Sequence, residues 1–167
     1  MYQTSKLDNA IREINRCNIA ILPIAESRWT GTGHFTAGPS ELVIYSGRST
    51  HFAGVAVIVS KQMRPHLMAY KTVSDRIIYV WVKASPLNVS ILQVQAPTLS
   101  ADDEETEEFY LWKQQELDSL PSQDVIFVVG DFNAKLDVNT RSAPVGGKYG
   151  LSISNYNAGT TLPDLQN

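Results

Sequence analysis

The chain has 167 residues, 43% hydrophobic and 19% charged, with a formal net charge of −3. That length and composition suit one soluble folded domain, spanning residues 1–167, and exclude a disordered chain. No apolar run reaches the roughly 20 residues that cross a bilayer, and one cysteine, Cys17, excludes an internal disulfide or a cysteine-built zinc cluster.

The opening residues, MYQTSKLDNAIREINR, are polar and mixed in charge, unlike a signal peptide. The expected setting is therefore intracellular, with the nucleus as one compartment. Ser5 can cap a helix over 6–16, with Leu7, Ile11 and Ile14 on one face. NIAILPIAE reads as a buried strand that ends at Glu26. SRWTGTGHFTAGPS is rich in glycine and turn formers and reads as a loop. ELVIYSG and FAGVAVIVS are two strands joined by RSTH, and RIIYVWVKA and NVSILQVQA two more separated by SPL. These spacings predict antiparallel hairpins.

A second helix is expected over 102–120, its acids crowding the first turn, with Phe109, Trp112, Leu117 and Leu120 on one face. Residues 101–118 hold eight acids against Lys113 alone; the rest of the chain has 13 basic and 9 acidic residues. A mildly basic body with one acidic helix permits a polyanionic partner without demanding one. DVIFVVG is uninterrupted in hydrophobicity and reads as a strand buried on both faces. Beyond DFNAK the text turns loop-like, with SAPVGGKYG. The whole pattern suits an α/β sandwich with antiparallel or mixed sheets. GxGxxG and GxxxxGK[ST] are both absent, against dinucleotide and P-loop chemistry.

Chemistry-bearing residues fall at strand ends. Glu26 follows IAILPIA and Asp131 follows VIFVVG. Neighbouring strands would bring both carboxylates to one edge, as oxygen ligands for a hard cation such as Mg²⁺. Asn133 can donate to a phosphate oxygen, and Asp131 can take a proton from water. That combination suits metal-assisted phosphodiester hydrolysis. Gly-Asp after a strand is also an ordinary turn, and D-F-N can be an Asx-type cap. His34, His51 and His66 show no ligand spacing.

AESRWTGTG, GVAVIVSK, SDRIIYVWVK, QVQAPT and VVGDFNAK occur in this order. Together they resemble the endonuclease/exonuclease/phosphatase superfamily, and within it the endonuclease domain of RTE-type non-LTR retrotransposons and related craniofacial development protein 2-like sequences. The resemblance implies a four-layer α/β sandwich, two mixed sheets flanked by helices, and a Mg²⁺- or Mn²⁺-dependent DNA endonuclease. It implies that Glu26 binds the metal, that Asp131 orients or deprotonates water, and that Asn133 contacts the scissile phosphate. Thr98 and Gln95 would lie near the phosphate. Gln95 stands where the family carries tyrosine, so Gln95→Tyr within a completed domain is expected to raise the nicking rate if the side chain faces the cleft.

The family also has an asparagine in a strand preceding the segment that residue 2 begins, and a terminal S-D-H motif. Neither is found in these residues. The sandwich is therefore expected to be incomplete at both termini, with weak or absent activity, exposed Val and Ile side chains near 124–130 and no regular structure from about 137 onward. A non-catalytic interaction module and a phosphoesterase for small substrates are the alternatives.

Overall fold

The computed structural model describes residues 4–50 and 53–133. Helix α1 (Thr4–Cys17) buries Ile11 and Ile14. It closes on Asn18, which takes a left-handed φ of 52°. The Ile19 amide reaches the Ile14 carbonyl at 2.9 Å, and the Asn18 amide reaches Asn15 at 3.4 Å. This is a Schellman-type ending, which satisfies carbonyls that the helix leaves open.

Among the described residues eight strands follow: β1 (Ile21–Ile24), β2 (Gly31–Ala37), β3 (Glu41–Gly47), β4 (Val55–Val59), β5 (Leu67–Ser74), β6 (Ile77–Val82), β7 (Val89–Gln95) and, after helix α2 (Asp103–Ser119), β8 (Val125–Asp131). They form two four-stranded sheets, in the orders β1-β4-β3-β2 and β5-β6-β7-β8. The first is antiparallel throughout its described strands, and the second is mixed, because β8 runs parallel to β7. Both expected hairpins, β3–β4 and β6–β7, are present.

Strand alternation sorts the side chains into layers. Leu42, Ile44, Val55, Val57 and Val59 of the first sheet meet Ile78, Val80, Val82 and Ile91 of the second, forming the core between the sheets. The opposite face of the first sheet, Val43 and Ile58, packs on Ile14 of α1. The outer face of the second, Ile77, Leu92 and Val94, packs on Phe109 of α2. The order is helix, sheet, sheet, helix: a four-layer α/β sandwich.

Three expectations need correction. The segment 27–40 contains strand β2, whose side chains are mostly exposed. Its position at a sheet edge removes the need for an apolar face. Strand β8 is not buried on both faces: Val125, Ile126 and Phe127 are 39%, 41% and 50% exposed, because β8 is the other kind of edge, apolar but unpaired on its outer side among the described strands. Trp112 is exposed rather than in the core. Lys113 and Glu116 take buried places on α2 instead, Lys113 over the Tyr110 ring and Glu116 paired with Lys71 at 2.6 Å. The absence of regular structure expected from about 137 onward concerns residues outside those described, as does His51.

Candidate functional site

Three chain segments converge at one end of the sandwich, each delivered by a strand end. The first is the exit of β1. Glu26 follows that strand in a left-handed conformation, φ 52°, and Arg28 repeats it at φ 59°. The Ser27 amide donates to the Gly54 carbonyl at 2.8 Å, tying this turn to the entry of β4. Gly54 has φ 129°, and a Cβ there would lie 2.9 Å from the Ser27 hydroxyl, so the two turns touch only because residue 54 is glycine. The Glu26 side chain is exposed and lies 3.7 Å from the Arg28 guanidinium, an exposed pair that contributes little to stability.

The second segment is the end of β7. Gln95 is 5% exposed. Its Oε1 accepts from the Glu26 amide at 3.2 Å and from the Gly54 amide at 3.3 Å. Both partners are backbone donors, so the oxygen must face them and the amide nitrogen must face away. The backbone of Gln95 is itself held by the Arg76 carbonyl at 2.9 Å.

The third segment is the end of β8, register partner of β7. Gln95 is paired with Asp131, and the Asp131 carbonyl accepts from the Ala96 amide at 2.8 Å. Asp131 Oδ1 accepts from the Asn133 amide at 2.9 Å, which is an Asx turn. Asn133, at φ 47°, returns its side-chain Nδ2 to the Ala96 carbonyl at 2.6 Å. The turn and the placement of acid and amide are one structure: the bond that caps the strand uses Oδ1 and fixes the carboxylate. Gly130 makes the approach feasible. With φ 142°, a Cβ there would lie 1.8 Å from the Val94 carbonyl oxygen.

Four of the five sequence-derived residues are therefore joined by direct bonds or register: Glu26 to Gln95, Gln95 to Asp131, and Asn133 to Ala96 beside Gln95. Thr98 follows on the same turn, but its hydroxyl is exposed and shares a 3.0 Å bond with Ser100. The expected benefit of Gln95→Tyr is revised, because the glutamine oxygen already holds two backbone amides that a phenol ring would displace from a nearly closed position.

The donor chemistry fits a hard divalent cation. Glu26 and Asp131 offer carboxylate oxygens, and Mg²⁺ is commonly held by one or two carboxylates with water and substrate phosphate. Among the described residues no group of three or more His, Cys, Asp and Glu stands so as to hold a metal ion.

Sequence reading missed the charge network beside the site. Asp102 caps α2 by accepting from the Glu105 amide at 2.7 Å. The Glu105 carboxylate then pairs with Arg76 at 2.6 Å and also with Arg48, which in turn binds Asp75. Arg76 Nη1 lies 3.5 Å from the Gln95 carbonyl. The acidic run thus supplies a specific ligand for two arginines near the β7 end. The D-x-x-E spacing signalled the cap, but only the fold could show where Glu105 points.

No protein-family model matches the chain. It is 36% identical over 151 residues to craniofacial development protein 2 of Bos taurus, covering 90% of this chain and 25% of that protein. The chain thus spans about a quarter of the length of that curated relative. Among solved structures it resembles the endonuclease domain of TRAS1, a telomere-specific non-LTR retrotransposon, with a TM-score of 0.58 and 13% identity, over 98% of this chain and 66% of that one. It also resembles an endonuclease/exonuclease/phosphatase family protein from Leptotrichia buccalis C-1013-b, with a TM-score of 0.50 and 15% identity, over 80% of this chain and 61% of that one. No helix among the described residues is long and apolar enough to cross a membrane.

Proposed function

From the endonuclease/exonuclease/phosphatase fold that this chain has, we propose that it is a nuclease-like module of retrotransposon type, built for Mg²⁺- or Mn²⁺-assisted hydrolysis of DNA phosphodiesters. The observation that carries the reading is the joining of the β1, β7 and β8 ends through Gln95, which sets Glu26 beside the Asp131–Asn133 turn.

Each residue then has a task its chemistry allows. Glu26 binds the cation through its exposed carboxylate. Bound Mg²⁺ would polarise a phosphoryl oxygen. Asp131, held through Oδ1 by the Asn133 amide, offers Oδ2 to a water and orients or deprotonates it. Asn133, whose amide is anchored on the Ala96 carbonyl, is the side chain assigned to the scissile phosphate, as an amide can donate to a phosphate oxygen. Gln95 Nε2, turned away from its two backbone donors, and the Thr98 hydroxyl are the remaining phosphate contacts. Phosphate binding by neutral donors suits a chain whose net charge is −3, and it predicts weak DNA affinity that falls with salt less steeply than that of a basic protein.

The test is nicking of supercoiled plasmid by the whole chain with and without MgCl₂. Metal-dependent nicking is expected, slow, and lowered at least about 100-fold by Asp131→Ala, as for loss of a general base. Metal-independent cleavage, or equal cleavage by the Asp131→Ala chain, contradicts the assignment. DNA binding without cleavage would instead favour a non-catalytic module, and hydrolysis of a nucleotide or inositol phosphate alone would favour a small-molecule phosphoesterase.

A further inference from the structure

We infer that Gln95 is a positioning residue for Glu26: its side-chain oxygen clamps the β1 exit against the β4 entry and so holds the proposed metal ligand in place. The inference rests on the reading of Glu26 as a cation ligand.

Three observations lead to it. Gln95 is 5% exposed, and its Oε1 accepts two backbone amides that belong to the other sheet, Glu26 at 3.2 Å and Gly54 at 3.3 Å. An amide carbonyl has two lone pairs, so one oxygen can serve both donors. Glu26 itself holds a left-handed φ of 52°, a conformation that an L-residue with a Cβ adopts only when its surroundings impose it. The bond to its amide is one such constraint; the Ser27–Gly54 bond of 2.8 Å beside it is another. Lastly, the same Gln95 is the register partner of Asp131. One residue therefore ties the backbone that carries Glu26 to the strand end that carries Asp131. Without the clamp the β1 exit can relax, and the backbone position from which Glu26 reaches the cation is no longer set.

Native-state hydrogen exchange on the whole chain reads the clamp. Gln95→Asn keeps the amide but withdraws the oxygen by one carbon–carbon bond. It is expected to speed exchange at the Glu26 and Gly54 amides about tenfold, the scale of one net hydrogen bond, while the Ile58 and Leu92 amides keep their rates. Gln95→Glu retains reach and acceptor and is expected to preserve protection at both. In a Mg²⁺ titration followed by calorimetry, Gln95→Asn is expected to weaken binding about tenfold.

Unchanged protection in the Gln95→Asn chain would overturn the clamp. Lost protection with unchanged Mg²⁺ affinity would overturn the positioning role. If Gln95→Asn unfolds the chain, Gln95→Glu decides: loss of protection at both amides in a folded variant is contrary to the inference. If the unaltered chain binds no Mg²⁺, the reading of Glu26 as a ligand fails and the positioning role with it, whereas the exchange data still decide the clamp on their own.

Discussion

At the scale of single residues, the question posed by VVGDFN is why glycine precedes the acid. Gly130 passes so close to β7 that a Cβ would overlap the Val94 carbonyl oxygen, at 1.8 Å, and its φ of 142° is open only to glycine. Gly130→Ala should lower stability by about 2 kcal/mol and displace the Asp131 turn. Urea denaturation measures this, and a change under about 0.5 kcal/mol would show that the β7–β8 approach is slack. Asp131 and Asn133 were legible because type and spacing carried the information: an acid and an amide two apart after a buried-looking strand. Gln95 was legible as a departure from a pattern but not as a clamp. Nothing in QVQAPT states that its oxygen meets two amides 69 and 41 positions upstream. Only sheet packing creates that contact.

At the scale of elements, what could be read depended on burial. The hairpins β3–β4 and β6–β7 are runs of Val and Ile broken by polar turns, and they lie inside the sheets, where apolar character is required. Strands β2 and β5 are edges on one side of the sandwich, where His34 and Tyr70 share a 2.7 Å hydrogen bond. Edge strands can be polar, and the glycine-rich β2 therefore looked like a loop. Helix α2 showed its start through Asp102 and its acids, but not which of its polar groups face inward. Glu116 is buried and paired with Lys71, whose side chain is 60% exposed. Lys71→Ala should cost about 1 kcal/mol, because the lysine end is solvated, and it leaves a carboxylate without its counter-charge. Adding Glu116→Gln should recover part of that loss. A double-mutant cycle by denaturant midpoint checks it; strictly additive effects would mean that the pair does not help to dock α2 on the second sheet.

At the scale of the molecule, the layered architecture followed from the alternation of helices and hairpins, and the comparisons bear out the fold. Hydrophobicity alone read 124–130 as doubly buried, whereas the resemblance implied exposed Val and Ile side chains there, and Val125 and Ile126 are exposed. Val125, Ile126 and Phe127 at the edge strand β8 instead make a surface prone to pairing with another strand. Phe127→Lys should reduce light scattering of concentrated protein, with stability changed by less than about 0.5 kcal/mol. Unchanged scattering would place self-association elsewhere.

In the proposed function, strand ends distant in sequence form one cation site at Glu26 and the Asp131–Asn133 turn. Paramagnetic broadening of backbone amide signals by substoichiometric Mn²⁺ tests it most directly, because the chain also carries a competing acidic surface at 102–108. Glu26, Ala96, Asp131 and Asn133 should broaden first and together, and Glu26→Gln should abolish this. Broadening confined to 102–108, with Glu26 and Asp131 untouched, would contradict it.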